Sequence, residues 1–165
     1  MMVRLTIVIA TYNRAEQLMI TLRSVAAQTA DKAIWECVVV DNNSKDHTRG
    51  NIEQFIADNP SLNIRYCLET KQGLSHARNA GISNAQGDII AFIDDDEHIV
   101  PEFVDSYIDL FDSVPKAMSA GGKIIAEYPS AKRKTKVFRF PLSVFRYFCY
   151  LCAIIGIQQT NKQKI

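Results

Sequence analysis

Four acidic residues stand in a row at Asp94-Asp95-Asp96-Glu97, directly after the strand-like run Asp88 to Ile93. Adjacent carboxylates repel, and each raises its neighbour's pKa unless a cation or hydrogen-bond donors hold it ionised. Behind a buried strand, three aspartates cannot all spread into solvent. A hard divalent ion resolves the repulsion, and an all-oxygen donor set selects Mg2+ or Mn2+ over zinc. Alternate side chains of an extended segment face opposite ways. Asp94 and Asp96 therefore share a face while Asp95 turns away, so one can hold a metal while a neighbour takes a ribose hydroxyl. A solvated acidic loop that caps the next helix is the plainer alternative.

The stretch Gly73-Leu74-Ser75-His76-Ala77-Arg78-Asn79-Ala80-Gly81 supplies a basic counterpart. On a helix starting near Leu74, residues Ser75, Arg78 and Asn79 fall on one face at i, i+3 and i+4. With the helix N-terminus aimed at the same site, that face suits a diphosphate or a base carbonyl. His76 is read as a local hydrogen-bonding residue.

The elements that must position these groups alternate. Leu5 to Ala10 is a β-branched run fit for a strand buried on both faces. Asn13 is the expected N-cap of a helix from about Arg14 to Gln28. Trp35 to Val40 reads as the second strand, and Asp46 as the cap of a helix reaching about Asn59 before Pro60. Asn63 to Leu68 is the third strand, Gly73 to Ala85 the third helix, and Asp88 to Ile93 the fourth strand. Pro101 suits the first turn of a helix to about Val114. Met118 to Ala126, with Gly121-Gly122, reads as a further strand with a bend. Such alternation predicts an α/β fold, a parallel sheet with right-handed crossovers and helices on both faces. Ligands of open parallel sheets bind beyond the carboxyl ends of the strands. Thr11-Tyr12-Asn13-Arg14, Asp41-Asn42-Asn43-Ser44, Glu69-Thr70-Lys71-Gln72 and the acidic run all fall there.

The 165 residues fit one domain, with 47% hydrophobic and 22% charged residues. Nineteen basic against eighteen acidic residues leave a net charge of +1, so no nucleic-acid partner is expected. Cys37 and Cys67 lie in strand-like runs and are expected as small buried thiols, while Cys149 and Cys152 lack a second ligand pair. Reduced thiols and the lack of a signal-peptide pattern point to the cytoplasm. The composition divides at residue 128, into a core over 1–128 and a segment over 129–165. In the latter, the basic cluster Lys132, Arg133, Lys134, Lys136 and Arg139 precedes the aromatic and aliphatic run Leu142 to Ile157. That run is expected as a core helix or as an interfacial helix beside anionic lipid, which would place the chain peripherally at the inner face of a membrane.

Four stretches in series resemble the family 2 glycosyltransferases of the GT-A fold. They are Ile7-Val8-Ile9-Ala10-Thr11-Tyr12-Asn13-Arg14, then Val38-Val39-Val40-Asp41-Asn42-Asn43-Ser44, the pattern G-x-S-x-A-R-N-x-G over Gly73 to Gly81, and Ala91-Phe92-Ile93-Asp94-Asp95-Asp96-Glu97. The resemblance spans roughly residues 3 to 126 and implies a Rossmann-like, mostly parallel sheet of order 3-2-1-4. It also implies a nucleotide-sugar donor, most often a UDP-sugar, bound with Mg2+ or Mn2+. On that basis Thr11, Tyr12, Asn13, Arg14, Asp41, Arg78, Asp94 and Asp95 would bind the nucleotide. Thr11 and Tyr12 would line the base pocket, Asp41 would face the base edge, and Asp95 would stand nearest the ribose. Asp96, with Asp94, would hold the metal. The implied reaction is inverting transfer to a hydroxyl of a sugar, lipid or protein acceptor, in the context of polysaccharide biosynthesis. One departure stands out: no Asp or Glu follows Glu127. The catalytic base therefore has no assigned residue, Glu97 and Glu102 lying too close to the acidic motif. The chain is expected to be the donor-binding part of such an enzyme, with 129–165 the start of the acceptor region. The alternative is a non-catalytic or partner-completed nucleotide-binding module. A dehydrogenase is excluded by the lack of G-x-G-x-x-G in Ala10 to Arg14, and a nucleotidyltransferase by the lack of a Gly-rich basic loop there.

Overall fold

The computed structural model of the chain describes residues 2–125 and the backbone of residues 154–156. Its elements run β1 (Leu5–Thr11), α1 (Ala15–Ala26), β2 (Trp35–Asp41), α2 (Thr48–Asp58), β3 (Ile64–Leu68), α3 (Leu74–Asn84), β4 (Ile89–Asp94), α4 (Phe103–Ser113), β5 (Ser119–Ala120) and β6 (Ile154–Gly156). The expected order 3-2-1-4 is observed, and the sheet continues beyond it as β3-β2-β1-β4-β6-β5. The first four strands are parallel, whereas β6 pairs antiparallel with both β4 and β5. Residues 154–156, at the end of the run expected to be helical, are thus a strand. The remainder of 129–165, including the basic cluster, Cys149 and Cys152, lies outside the described residues.

All seven residues of β2 are buried, as are six of the seven in β1. Continuous apolar runs suit strands covered on both faces. Leu5, Ile7 and Ile9 of β1 join a core with Leu18 and Leu22 of α1, Ile52 of α2 and Ile108 of α4. Val8, on the opposite face, packs with Val38, Val40, Ile90, Phe92 and Ala77 of α3. Gly81 lets α3 approach closely, since a Cβ there would overlap Val8 Cγ1. Strand register then sets the position of the site. Thr11 is level with Asp41, and Ala10 with Asp94, so β1, β2 and β4 end on one line.

Two expected caps are corrected. Asn13 does not cap α1; its backbone is left-handed (φ 52°), its Oδ1 accepts from Lys45 N at 2.7 Å, and its N–H donates to Ser44 Oγ at 3.0 Å. Asn tolerates this conformation, and here it ties the β1–α1 turn to the β2–α2 turn. Asp46 stands one residue before the N-cap position of α2, His47. Its Oδ1 accepts from the Thr48 N–H at 3.0 Å and the Thr48 hydroxyl at 2.5 Å, and its Oδ2 accepts from Ala15 N at 3.3 Å. One carboxylate therefore serves the starts of both α1 and α2. These bonds, the Thr48 hydroxyl foremost, hold its pKa below the ordinary aspartate value. Met118 to Ala126 yields only the two-residue β5. Cys37 is buried as expected, and burial pushes its thiol pKa up; Cys67 is only half-buried because β3 is the sheet edge.

Candidate nucleotide-binding site

A cleft of about 500 Å³ opens at the carboxyl edge of the sheet. It brings together Thr11, Tyr12 and Arg14 from the end of β1 with Asp94, Asp95 and Asp96 from the end of β4. The strand order reverses between β1 and β4, since β2 continues from one side of β1 and β4 lies on the other. Loops leaving such a reversal diverge and leave a crevice.

The acidic run is held by named donors. Thr11 Oγ1 donates to Asp95 Oδ2 at 2.8 Å, and Thr21 Oγ1 donates to the Asp95 carbonyl at 3.0 Å. Arg14 Nη1 donates to Asp95 Oδ1 at 3.1 Å and to Asp96 Oδ2 at 3.0 Å. The charge of Asp95, followed by the hydrogen bonds to both aspartates, raises the Arg14 pKa further above its already high value. On the other flank Arg78 Nη2 donates to Asp94 Oδ1 at 3.2 Å, and the guanidinium lies 5.7 Å from the centre of the Phe92 ring. The alternation expected of Asp94 to Asp96 is present. The Asp95 side chain is only 9% exposed, while Asp94 and Asp96 retain 46% and 54%. Among the described residues no three His, Cys, Asp or Glu side chains converge to hold a metal. The exposed donors are the carboxylates of Asp94 and Asp96.

Three of the sequence-predicted residues do not line the cleft. Asn13 works in the turn described above. Arg78 stands behind Asp94. Asp41 is buried, with Oδ1 accepting from Ser44 N at 2.8 Å and Oδ2 from the Tyr66 hydroxyl at 3.0 Å. Burial and this bond to Asp41 raise the Tyr66 pKa to about 12. Tyr66 therefore stays a donor at neutral pH.

Sequence reasoning placed Asn42 at this edge of the sheet but gave it no role; the structure makes it a wall of the cleft. Its Nδ2 donates to the carbonyls of Glu69 (3.1 Å) and Lys71 (2.8 Å), and its Oδ1 accepts from Gly73 N at 2.8 Å. Its backbone N–H donates to Thr11 O at 2.9 Å, and its carbonyl accepts from Gln72 Nε2. Asn42 thereby fixes the loop before α3, in which Gly73 has φ 136°, a conformation L side chains rarely adopt. Gln72, Gly73 and Leu74 join the cleft through this loop. The only signal in the sequence was the pair Asn42-Asn43 following a strand, which turn chemistry explains equally well.

The description "Glycosyl transferase family 2" matches residues 6–155 of the chain. A glucosyl-dolichyl phosphate glucuronosyltransferase of Haloferax volcanii is 28% identical over 131 residues, covering 78% of this chain and 41% of that protein. A mannosyltransferase from Pyrobaculum calidifontis, solved in complex with GDP-Man and Mn2+, has a TM-score of 0.64 at 25% identity, covering 72% of this chain and 34% of that one. S. aureus TarS 1-349 in complex with UDP has a TM-score of 0.63 at 24% identity, a likeness of fold, covering 75% of this chain and 38% of that one. The chain spans roughly a third to two fifths of the length of these relatives. Most of its own residues fall within the family match, and together with the GT-A sheet they make this chain a member of glycosyl transferase family 2.

Proposed function

We propose that the cleft binds a nucleotide-diphosphate sugar, a UDP-sugar, together with Mg2+ or Mn2+, for inverting transfer of the sugar to an acceptor hydroxyl. The observation that carries this reading is one cleft that joins an exposed aromatic, Tyr12, to the three aspartates across the β1–β4 reversal. Tyr12 is 46% exposed and offers a flat face on which a base can stack. Asp95, fixed by Thr11 and Arg14, serves the ribose. Asp41 acts from behind the cleft, where its carboxylate holds Ser44 N and the Tyr66 hydroxyl and so fixes the turn after β2. Asn13 and Arg78 act by holding the loop and Asp94 in place.

The donor chemistry fits a divalent ion. Asp96 and Asp94 present hard oxygen ligands but no closed cage, the arrangement in which Mg2+ takes one or two carboxylates and completes its shell with phosphate and water. When bound, such an ion neutralises charge on the departing diphosphate. The relatives support the donor class, since UDP accompanies one structure and GDP-Man with Mn2+ another. No helix among the described residues is long and apolar enough to cross a membrane. Action at a membrane surface, on a lipid-linked acceptor, is supported by the dolichyl phosphate in the name of the Haloferax relative.

Titration calorimetry with UDP, in Mn2+ and then in a chelator, tests the reading, with GDP as the competing base. UDP is expected to bind only with Mn2+ and more tightly than GDP. Asp96→Asn is expected to weaken binding by about 1–3 kcal/mol, the range for losing a charge-assisted contact. Equal affinity in the chelator would remove the metal from the site.

A further inference from the structure

Arg14 places one nitrogen, Nη1, between two carboxylates, 3.1 Å from Asp95 Oδ1 and 3.0 Å from Asp96 Oδ2. Asp96 is also one of the two carboxylates read as metal ligands, so Arg14 and an ion compete for it. The two partners differ in freedom. Asp95 is 9% exposed and is also gripped by Thr11, whereas Asp96 is 54% exposed and Arg14 itself 48%. Arg14 stands at the N-cap position of α1, and its backbone carbonyl, not its side chain, accepts from Leu18 N. The guanidinium can therefore swing away without unwinding the helix.

Building on the donor reading above, we infer that Arg14 is a built-in counter-cation on Asp96, which weakens the binding of a divalent ion alone and moves from Asp96 to phosphate when the ion arrives with a diphosphate. Charge decides this. Each of the two carboxylates read as metal ligands already faces a guanidinium, Asp96 that of Arg14 and Asp94 that of Arg78. A divalent ion alone would be pressed against those like charges. A diphosphate brings negative charge and gives Arg14 a new partner. An exposed ion pair such as Arg14–Asp96 is weak, so the exchange has little to overcome. Asp95 stays fixed throughout and keeps the stem of the cluster in register with Thr11. Metal and nucleotide consequently enter as a unit, each raising the affinity for the other by the same factor.

Binding of Mn2+ alone, read by the loss of the free-ion electron paramagnetic resonance signal, tests the inference on the full chain without nucleotide. Arg14→Met and Arg14→Gln are expected to bind Mn2+ about fivefold more tightly than the wild type, the order of an exposed ion pair. Arg14→Lys, which keeps the charge, is expected to stay near the wild type. Added UDP should then raise Mn2+ affinity more in the wild type than in Arg14→Met. Circular dichroism establishes that each variant is folded. Mn2+ affinity that is unchanged, weaker or absent in both neutral variants would overturn the inference, because Arg14 would then only support Asp95 or contact phosphate. That outcome leaves UDP–Mn2+ binding by the wild type untouched, so the donor reading stands or falls separately.

Discussion

Arg78 donates to Asp94 and lies over the ring of Phe92 while remaining 24% exposed, so its side chain serves the acidic run more than the core. An exposed ion pair contributes about 0–1 kcal/mol, and a cation–π contact at such a site about 0.5–1 kcal/mol. Arg78→Ala is therefore expected to lower stability by about 1 kcal/mol in denaturant titration. Nucleotide affinity in the presence of Mn2+ should fall by about tenfold, the scale of a lost charge-assisted contact, because Asp94 loses its positioning partner. A large loss of stability with unchanged affinity would make Arg78 a structural residue. Asn42 belongs to the same scale: both amide donors and its acceptor are spent on the loop that carries Gly73.

Between elements, close approach and shared caps set the geometry. A Cβ at Gly81 would overlap Val8 Cγ1, in the layer where α3 rests on β1. Gly81→Ala must push α3 away or force Val8 from its rotamer. Overpacking of this kind costs about 1–3 kcal/mol, a loss measurable as a lower denaturation midpoint. Asp46 links the first turns of α1 and α2, and its pKa is depressed in the folded chain by Thr48 and by backbone donors. A depressed carboxylate contributes stability that is present above the unfolded value of about 3.9 and is lost as pH falls through the folded value. Asp46→Asn is thus expected to be less stable than the wild type at pH 7. The two should converge as pH drops below about 4. A gap that persists in acid would assign the effect to shape and not to charge.

For the molecule as a whole, the sheet anchors the site at both of its edges. Opposite the cleft, Glu36 is fully buried, accepting from Thr6 Oγ1 at 2.9 Å, Gln86 N at 2.7 Å and Arg65 Nη2 at 2.8 Å. A buried charge is tolerated only when paired and hydrogen-bonded in this way. It fixes β1, β2, β3 and the loop before β4 at their amino ends, so the carboxyl ends stay level. A ligand that binds only this assembled edge must stabilise the entire fold by mass action. UDP with Mn2+ at a hundredfold excess over its dissociation constant is expected to add about 2.7 kcal/mol. Differential scanning fluorimetry should show that shift with the pair and little with either component alone.

Much of this was legible in the residues themselves. Runs such as Leu5 to Ala10 and Trp35 to Val40 are continuous and β-branched because both of their faces are covered, and that pattern is local. The acidic run and the Gly73 to Gly81 pattern were visible for the same reason, as chemistry carried by neighbouring residues. The partners of those residues were not. Which donor neutralises Asp95, what fills the hydrogen bonds of Asn42, and why Glu36 can be buried depend on contacts 27 to 84 positions apart in the chain. Asn13 shows the limit most plainly. Its residue type suits a helix cap and a left-handed turn alike, and only the approach of Lys45 and Ser44 from the neighbouring strand's loop selected the turn. Sequence determined which groups reach the carboxyl edge of the sheet; tertiary packing decided which of them face the cleft and which hold the others still, because that choice is made by residues brought alongside by strand register.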